Sequence, residues 1–244
     1  MKRREDSGFT LIEMLVAIVI LGALGTVFLS TVLGAQTSAK GTSSEQDLNE
    51  EARLALNRMA RELRQADTLT QVRNPDGTSY DASDITSVTF TADFNGDGCI
   101  DGVATTTPAP VCQVDDPSNP ETLTYCWDPG ASVRQLYLIP GAIAADDNCQ
   151  SGGLPILAGQ VTSFKLSYRS NEYLYDTTGG DNGGDGITTW TELDQAGPPV
   201  GNNDGLLGQP ELANVDSVVI ELTVSASGQH SQSYTTQVDL RNLS

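Results

Sequence analysis

The apolar positions of this chain fall into two helical regimes separated by a polar step, and then change period altogether. From Met14 to Leu33 twenty residues pass without a charge. A helix rising about 1.5 Å per residue covers ~30 Å over that length, the thickness of a bilayer's hydrocarbon. The run passes into a polar patch, Gln36 to Ser44, with Gly34 and Gly41 beside and within it. Beyond the patch Leu48, Ala52, Ala55, Leu56, Met59, Ala60, Leu63 and Ala66 recur at steps of three and four, one face of an amphipathic helix. Glu50, Arg53, Asn57, Arg58, Arg61 and Arg64 occupy much of the remaining circumference. The pattern predicts one long helix over residues 9–67, weakened or bent near the glycines, with Ser44 and Asp47 as a cap if it restarts.

After residue 84 the period becomes two. Ile85 to Thr91, Thr122 to Trp127, Val133 to Ile139, Val161 to Tyr168, Val215 to Ser225 and Ser233 to Leu240 read as strands rich in Val, Ile, Leu, Thr and Tyr. Val218, Ile220, Leu222 and Val224 alternate with polar neighbours, as do Tyr234, Thr236, Val238 and Leu240. Such alternation suits antiparallel strands with one face on a helix and the other in water. Pro108, Pro110, Pro117, Pro120, Pro198 and Pro199 mark long loops, and no repeat of solenoid length is visible. The expected fold class is α+β, a long N-terminal helix packed on an antiparallel sheet with long, disulfide-tied loops.

The head of the chain adds chemistry to this pattern. Lys2, Arg3 and Arg4 precede Gly8-Phe9-Thr10-Leu11-Ile12-Glu13, which sets a carboxylate just inside the apolar run. An ionisable group in lipid is costly and usually marks function, and the basic leader predicts a cytoplasmic N-terminus with the remainder exported. A signal peptide is the plain alternative, with a passable cleavage site at Leu33-Gly34-Ala35, but signal-peptide apolar cores usually run about 7–15 residues.

Gly8-Phe9-Thr10-Leu11-Ile12-Glu13-Met14-Leu15-Val16-Ala17 resembles the cleavage and methylation signature of type IV prepilins and type II secretion pseudopilins. The resemblance implies cutting by a prepilin peptidase after Gly8 and N-methylation of Phe9. It makes Glu13 the fifth residue of the mature chain, an assembly residue. Arg58 to Ala66 is similar to the W-type minor pilins and J-type pseudopilins, and Val238 to Asn242 resembles the last strand of many minor pilins. The proline many pilins carry about twenty residues into the mature chain is absent; Ser30 sits near that place.

The implied organisation is a leader over 1–8, a transmembrane and filament-core helix over 9–34, its amphipathic continuation over 35–67, and an extracellular β-rich domain over 68–244. The implied partners are other pilin subunits, the peptidase, the pilus assembly platform and, before assembly, the cytoplasmic membrane. Physical chemistry agrees with the implied role of Glu13. Cleavage at Gly8 creates a charged amine four residues before it, and residues four apart share a helix face.

Charge narrows the partners further. Residues 67–244 hold five basic and 24 acidic side chains, which accounts for the whole net charge of −19. An acidic body repels phosphates, so direct nucleic-acid binding is not expected. Two regions offer hard oxygen ligands instead. Asp93, Asn95, Asp97, the Cys99 carbonyl and Asp101 occupy positions 1, 3, 5, 7 and 9 of an EF-hand-like loop, with Gly98 at the turn. Position 12 is Ala104, so a Ca²⁺ site here needs a distant carboxylate or water; the plain reading is an Asx-Gly turn. In the second region Asp181, Asp185 and Glu192 fit one loop and Asn202, Asp204 and Glu211 another, but Gly183 and Val200 each replace a ligand. That region reads first as a solvated glycine-rich excursion and second as a composite cation site.

Cys99, Cys112, Cys126 and Cys149 lie in the exported part, where an even count reads as two disulfides with three pairings open. The sequential pairing is preferred because each bridge ties down a loop containing Pro or Gly. Catalysis is not expected. The one histidine, His230, sits in a polar turn, and no phosphate-cradling glycine loop ending in Lys occurs. Two functions compete: a structural filament subunit, as minor pilin or pseudopilin, and an adhesive tip module using Tyr173, Tyr175 and Trp190.

Overall fold

A computed structural model describes residues 10–77, 85–101, 103–104, 112, 120–144, 148–157, 160–171, 173–176, 184–225 and 231–240. The chain divides into two compact units, Met1–Asp47 and Leu48–Ser244. A single helix, α1 (Leu11–Leu63), contributes to both. It runs without a break through Gly34 and Gly41, so no restart occurs at Ser44. The glycine cost of about 1 kcal/mol each is small against 53 residues of cooperative hydrogen bonding.

In the first unit the helix is bare. Its best 18-residue window has a mean hydropathy of 2.5, and none of it is buried by the chain itself. The hydroxyls in this stretch are satisfied locally. Thr26 donates to the Ala23 carbonyl, Ser30 to Val27 and Thr31 to Phe28, each at 2.8 Å. Side chains that return their hydrogen bonds to the backbone leave an apolar exterior, as lipid or a packed helix bundle requires.

The second unit is built on two antiparallel sheets. The first has the order β1-β2-β5-β6-β7, with β1 Thr68–Arg73, β2 Thr86–Thr91, β5 Thr122–Trp127, β6 Leu136–Pro140 and β7 Leu154–Pro155. The second has the order β11-β10-β8-β9, with β8 Gln160–Ser170, β9 Thr188–Thr189, β10 Ser217–Ser225 and β11 Ser231–Asp239. A two-stranded ribbon, β3 (Cys99–Ile100) with β4 (Val103–Ala104), and a short helix, α2 (Trp190–Gln195), complete it. The expected Val133 to Ile139 strand begins later, at Leu136.

The apolar face read from the spacing is the face that is buried. Ala52, Met59, Leu63 and Ala66 are wholly inaccessible and share one core with Phe90 and Tyr125 of the first sheet and Phe164, Ile220 and Leu222 of the second. Two tyrosines fasten α1 to the sheets. Tyr125 of β5 donates to Glu62, which also accepts from Arg58 at 2.8 Å, and Tyr234 of β11 donates to Asn49. The hydrogen bond to Glu62 raises the Arg58 pKa, and burial, then Glu62, holds the Tyr125 phenol well above 10. Bridges join Cys99 to Cys112 and Cys126 to Cys149.

Candidate assembly helix and cation-binding loops

The head of α1 is locally determined. Thr10 precedes the first helical residue, and its Oγ1 accepts the Glu13 N–H at 3.3 Å while Glu13 Oε2 accepts the Thr10 N–H at 3.5 Å. This reciprocal pair is a capping box, and the Thr-x-x-Glu spacing that encodes it is present in the sequence. Glu13 is exposed, among bare neighbours such as Leu11 and Ile12. Its carboxylate lies at the N-terminal end of the helix dipole, where negative charge is favoured. Gly8 and Phe9 lie outside the described residues.

The Asp93 loop has the hydrogen-bond plan of a cation loop. Asp93 accepts N–H groups from Gly96, Asp97 and Gly98, Asn95 accepts from Asp97, and Asp97 accepts from Cys99. Gly96 and Gly98, at the fourth and sixth positions, both have positive φ, 75° and 76°. The distant carboxylate is Glu121. One oxygen each from Asp93, Asp97 and Glu121 lie within 4.8 Å of one another. Glu121 is 5% exposed, and its Oε2 accepts the Asp101 N–H at 2.8 Å. Strand register brings it there. Thr91 ends β2 and pairs with Thr122, the first residue of β5, so the flanking residues Ala92 and Glu121 meet, with the Ala92 N–H on the Glu121 carbonyl at 2.8 Å. Nothing in the local sequence of Glu121 signals this.

Both loops of the second region make similar turns, with backbone N–H groups accepted by Asp176 in one and Asp194 in the other. Asp176 accepts from Gly184 and Gly186, the fourth and sixth positions of the loop counted from Asp181, and Asp185 accepts from Ile187 at 2.8 Å. Asp181 itself lies outside the described residues. In the other loop Asp194 accepts from Asp204 at 3.1 Å and Gly205 at 3.0 Å, bonds that the apolar side chain of Val200 cannot accept. Asn202 accepts from Asp204 at 3.0 Å, Asp204 from Leu206 at 2.8 Å, and Glu211 from Asn202 at 3.0 Å. Positive φ recurs at the same positions: Gly184 and Gly186 in one loop, Asn203 and Gly205 in the other. Gly201 fixes the approach of the second loop to α2, since a Cβ there would stand 2.0 Å from the Leu193 carbonyl oxygen.

Three twelfth-position or substitute acids are therefore buried: Glu192 at 1%, Asp194 at 3% and Glu211 at 0% exposure. Asp176 and Asp194 escape sequence reading because each lies outside its twelve-residue window. Trp190, a candidate for surface recognition, is instead 7% exposed and donates its indole N–H to Asp76. Tyr175 packs partly buried against the core.

Residues 3–29 match the family model of the prokaryotic N-terminal methylation motif. No curated protein and no solved structure matches the chain. The motif points to a structural subunit, and together with the apolar helix to a membrane-anchored protein that assembles with others of its kind. On its α+β body, which fits the type IV pilin fold, the chain thus carries the signature of type IV pilins and pseudopilins.

Proposed function

We infer that this chain is a minor pilin-like structural subunit of a type IV pilus, whose mechanism is assembly rather than reaction. The observation that carries the reading is an unburied apolar helix headed by the methylation motif with Glu13 at its third helical position. Such a helix needs an apolar partner, first lipid and then its siblings, because fully burying one Leu, Val or Phe side chain is worth about 1.5–3 kcal/mol.

A prepilin peptidase cuts after Gly8, and the amine freed on Phe9 is methylated. The assembly platform then draws the subunit out of the cytoplasmic membrane, so that the acidic β-domain faces outward on the fibre. Glu13 meets the terminal amine of a neighbouring subunit and sets the register. Removing one partner of a buried ion pair costs about 3–5 kcal/mol, because a lone charge stays behind. That penalty selects the staggered arrangement over slipped ones.

The W-type and J-type resemblance and the two disulfides in the β-domain favour a minor subunit over a densely repeated one. A type II secretion pseudopilin has the same subunit design. The tip-adhesin reading loses Trp190 to the core. Gene deletion tests the reading. Loss of fibres supports a structural role, whereas intact fibres that no longer attach support the adhesive one. Gly8→Ala should leave a membrane-inserted chain that never enters fibres, and its normal incorporation would overturn the account.

A further inference from the structure

We propose that the cleft between the last turns of α1 and the first sheet binds a small aromatic carboxylate, with Arg61 meeting the carboxylate and a leucine floor meeting the ring. The cleft has a volume of about 470 Å³ and lies wholly within the second unit. That size falls in the range of small-molecule sites, about 300–1,000 Å³. A folded protein partner engages a broad face instead, burying about 800 Å² on each side.

One side of the cleft is apolar. Leu123 of β5, Leu138 of β6 and Leu154 of β7 line it together with Phe94. Leu123 and Leu138 belong to the main core, whereas Leu154 is 66% exposed. β7 is the edge strand and only two residues long, so no further strand of the sheet covers Leu154. A flat apolar ligand offers the Phe94 ring a partner in stacked or edge-on geometry and removes Leu154 from water.

The other side is charged, and α1 supplies it through Arg58, Arg61 and Glu62, whose spacing of three and four puts them on one helix face. Arg58 spends its Nε–H on Glu62 at 2.8 Å, and Glu62 also accepts the Tyr125 hydroxyl. The Glu62 charge is thereby met inside the protein. Arg61 is exposed and has no hydrogen bond or ion pair among the described residues. Two arginines against one glutamate leave a single positive charge in excess, on a body whose residues 67–244 hold five basic and 24 acidic side chains. One excess charge suits a carboxylate better than a doubly charged phosphate, which would also face Glu62. The planar fork of a guanidinium matches a carboxylate and stacks on a ring, which an ammonium does not. The site belongs to the second unit alone, so it stands whether or not the chain enters fibres.

The test is a titration of the full chain in detergent with cinnamate, followed by leucine methyl resonances, with cinnamamide as the uncharged counterpart. Shifts at Leu123, Leu138 and Leu154 place the ligand in the cleft and separate it from any dissolved in the micelle. A ligand of this size binding at ordinary efficiency has a dissociation constant on the order of 1 mM. Cinnamate should move those methyls saturably, and cinnamamide should bind about fivefold more weakly, the strength of an exposed charge pair. Arg61→Gln should lower cinnamate affinity about fivefold and leave cinnamamide unchanged. Leu154→Ser should weaken both ligands together. Arg61 and Leu154 are exposed, so neither substitution disturbs the core. Arg64, exposed on the same helix, does not line the cleft, and Arg64→Gln should bind like wild type. No saturable shift at about 10 mM cinnamate, on the order of ten times that dissociation constant, would overturn the proposal. So would equal affinity for the two ligands, or equal weakening by Arg61→Gln and Arg64→Gln.

Discussion

In the function proposed, Glu13 serves two partners at different stages of the subunit's life. In the isolated chain it accepts the Thr10 N–H and completes a capping box. In a fibre the same carboxylate is available to a neighbour's terminal amine. The two roles separate by substitution, because Gln supports a capping box but carries no charge. Glu13→Gln and Glu13→Ala should both stay in the membrane fraction and both be missing from sheared fibres on immunoblots. If capping were the whole role, Glu13→Gln would assemble like wild type.

Tyr168 offers a second single-residue test, in the body. Its hydroxyl is buried with no hydrogen-bond partner among the described residues, and burial, then Asp76, holds its pKa well above 10. Above pH 10 the unfolded chain releases that proton while the folded chain keeps it. The folded state then binds more protons, so stability falls as pH rises. Tyr125, raised mainly by burial, acts in the same direction. Tyr168→Phe should therefore be neutral or stabilising by up to about 1 kcal/mol at neutral pH. It should also flatten the loss of stability above pH 10, read from urea melts across that range.

At the scale of elements, the bridges add covalent ties to the sheets. Cys126 lies within β5, and its bridge reaches Cys149, 23 positions further on and beyond β6. Reduction should destabilise the β-domain by about 2–4 kcal/mol, measured as a lower urea midpoint with reductant than without. Elements with a local period were legible in the sequence. The β10 and β11 strands showed alternation because one face is buried along their whole length, and Leu48 to Ala66 showed the step of three and four. β1 was missed because Thr68-Leu69-Thr70-Gln71-Val72-Arg73 follows the helix directly and loses its alternation at a bulge between Leu69 and Gln71. β7 and β9, two residues each, are too short to have a period. The expected weakness at Gly34 and Gly41 did not interrupt α1, since a long cooperative helix carries isolated glycines.

The candidate cation loops divide in the same way. Oxygen-bearing residues at alternate positions of one turn, such as Asp93, Asn95 and Asp97, are written side by side. Glu121, Asp176 and Asp194 arrive through strand register or from a neighbouring element, which no local spacing reports.

On the scale of the whole molecule, an apolar rod near charge balance carries a body that holds all of the −19 net charge. In the proposed fibre the rod supplies cohesion and one fixed register, while the charged body stays solvated. Each half would be a liability alone. A bare apolar helix aggregates, and an acidic domain has no reason to stack on its own kind. In the function proposed, a single covalent event at Gly8 converts the pair into a fibre subunit by creating an amine for Glu13 to meet. Mass spectrometry of the native polypeptide tests this most directly. The account predicts a chain that begins at N-methylated Phe9. A chain still beginning at Met1, or one cut near Gln36, would contradict it.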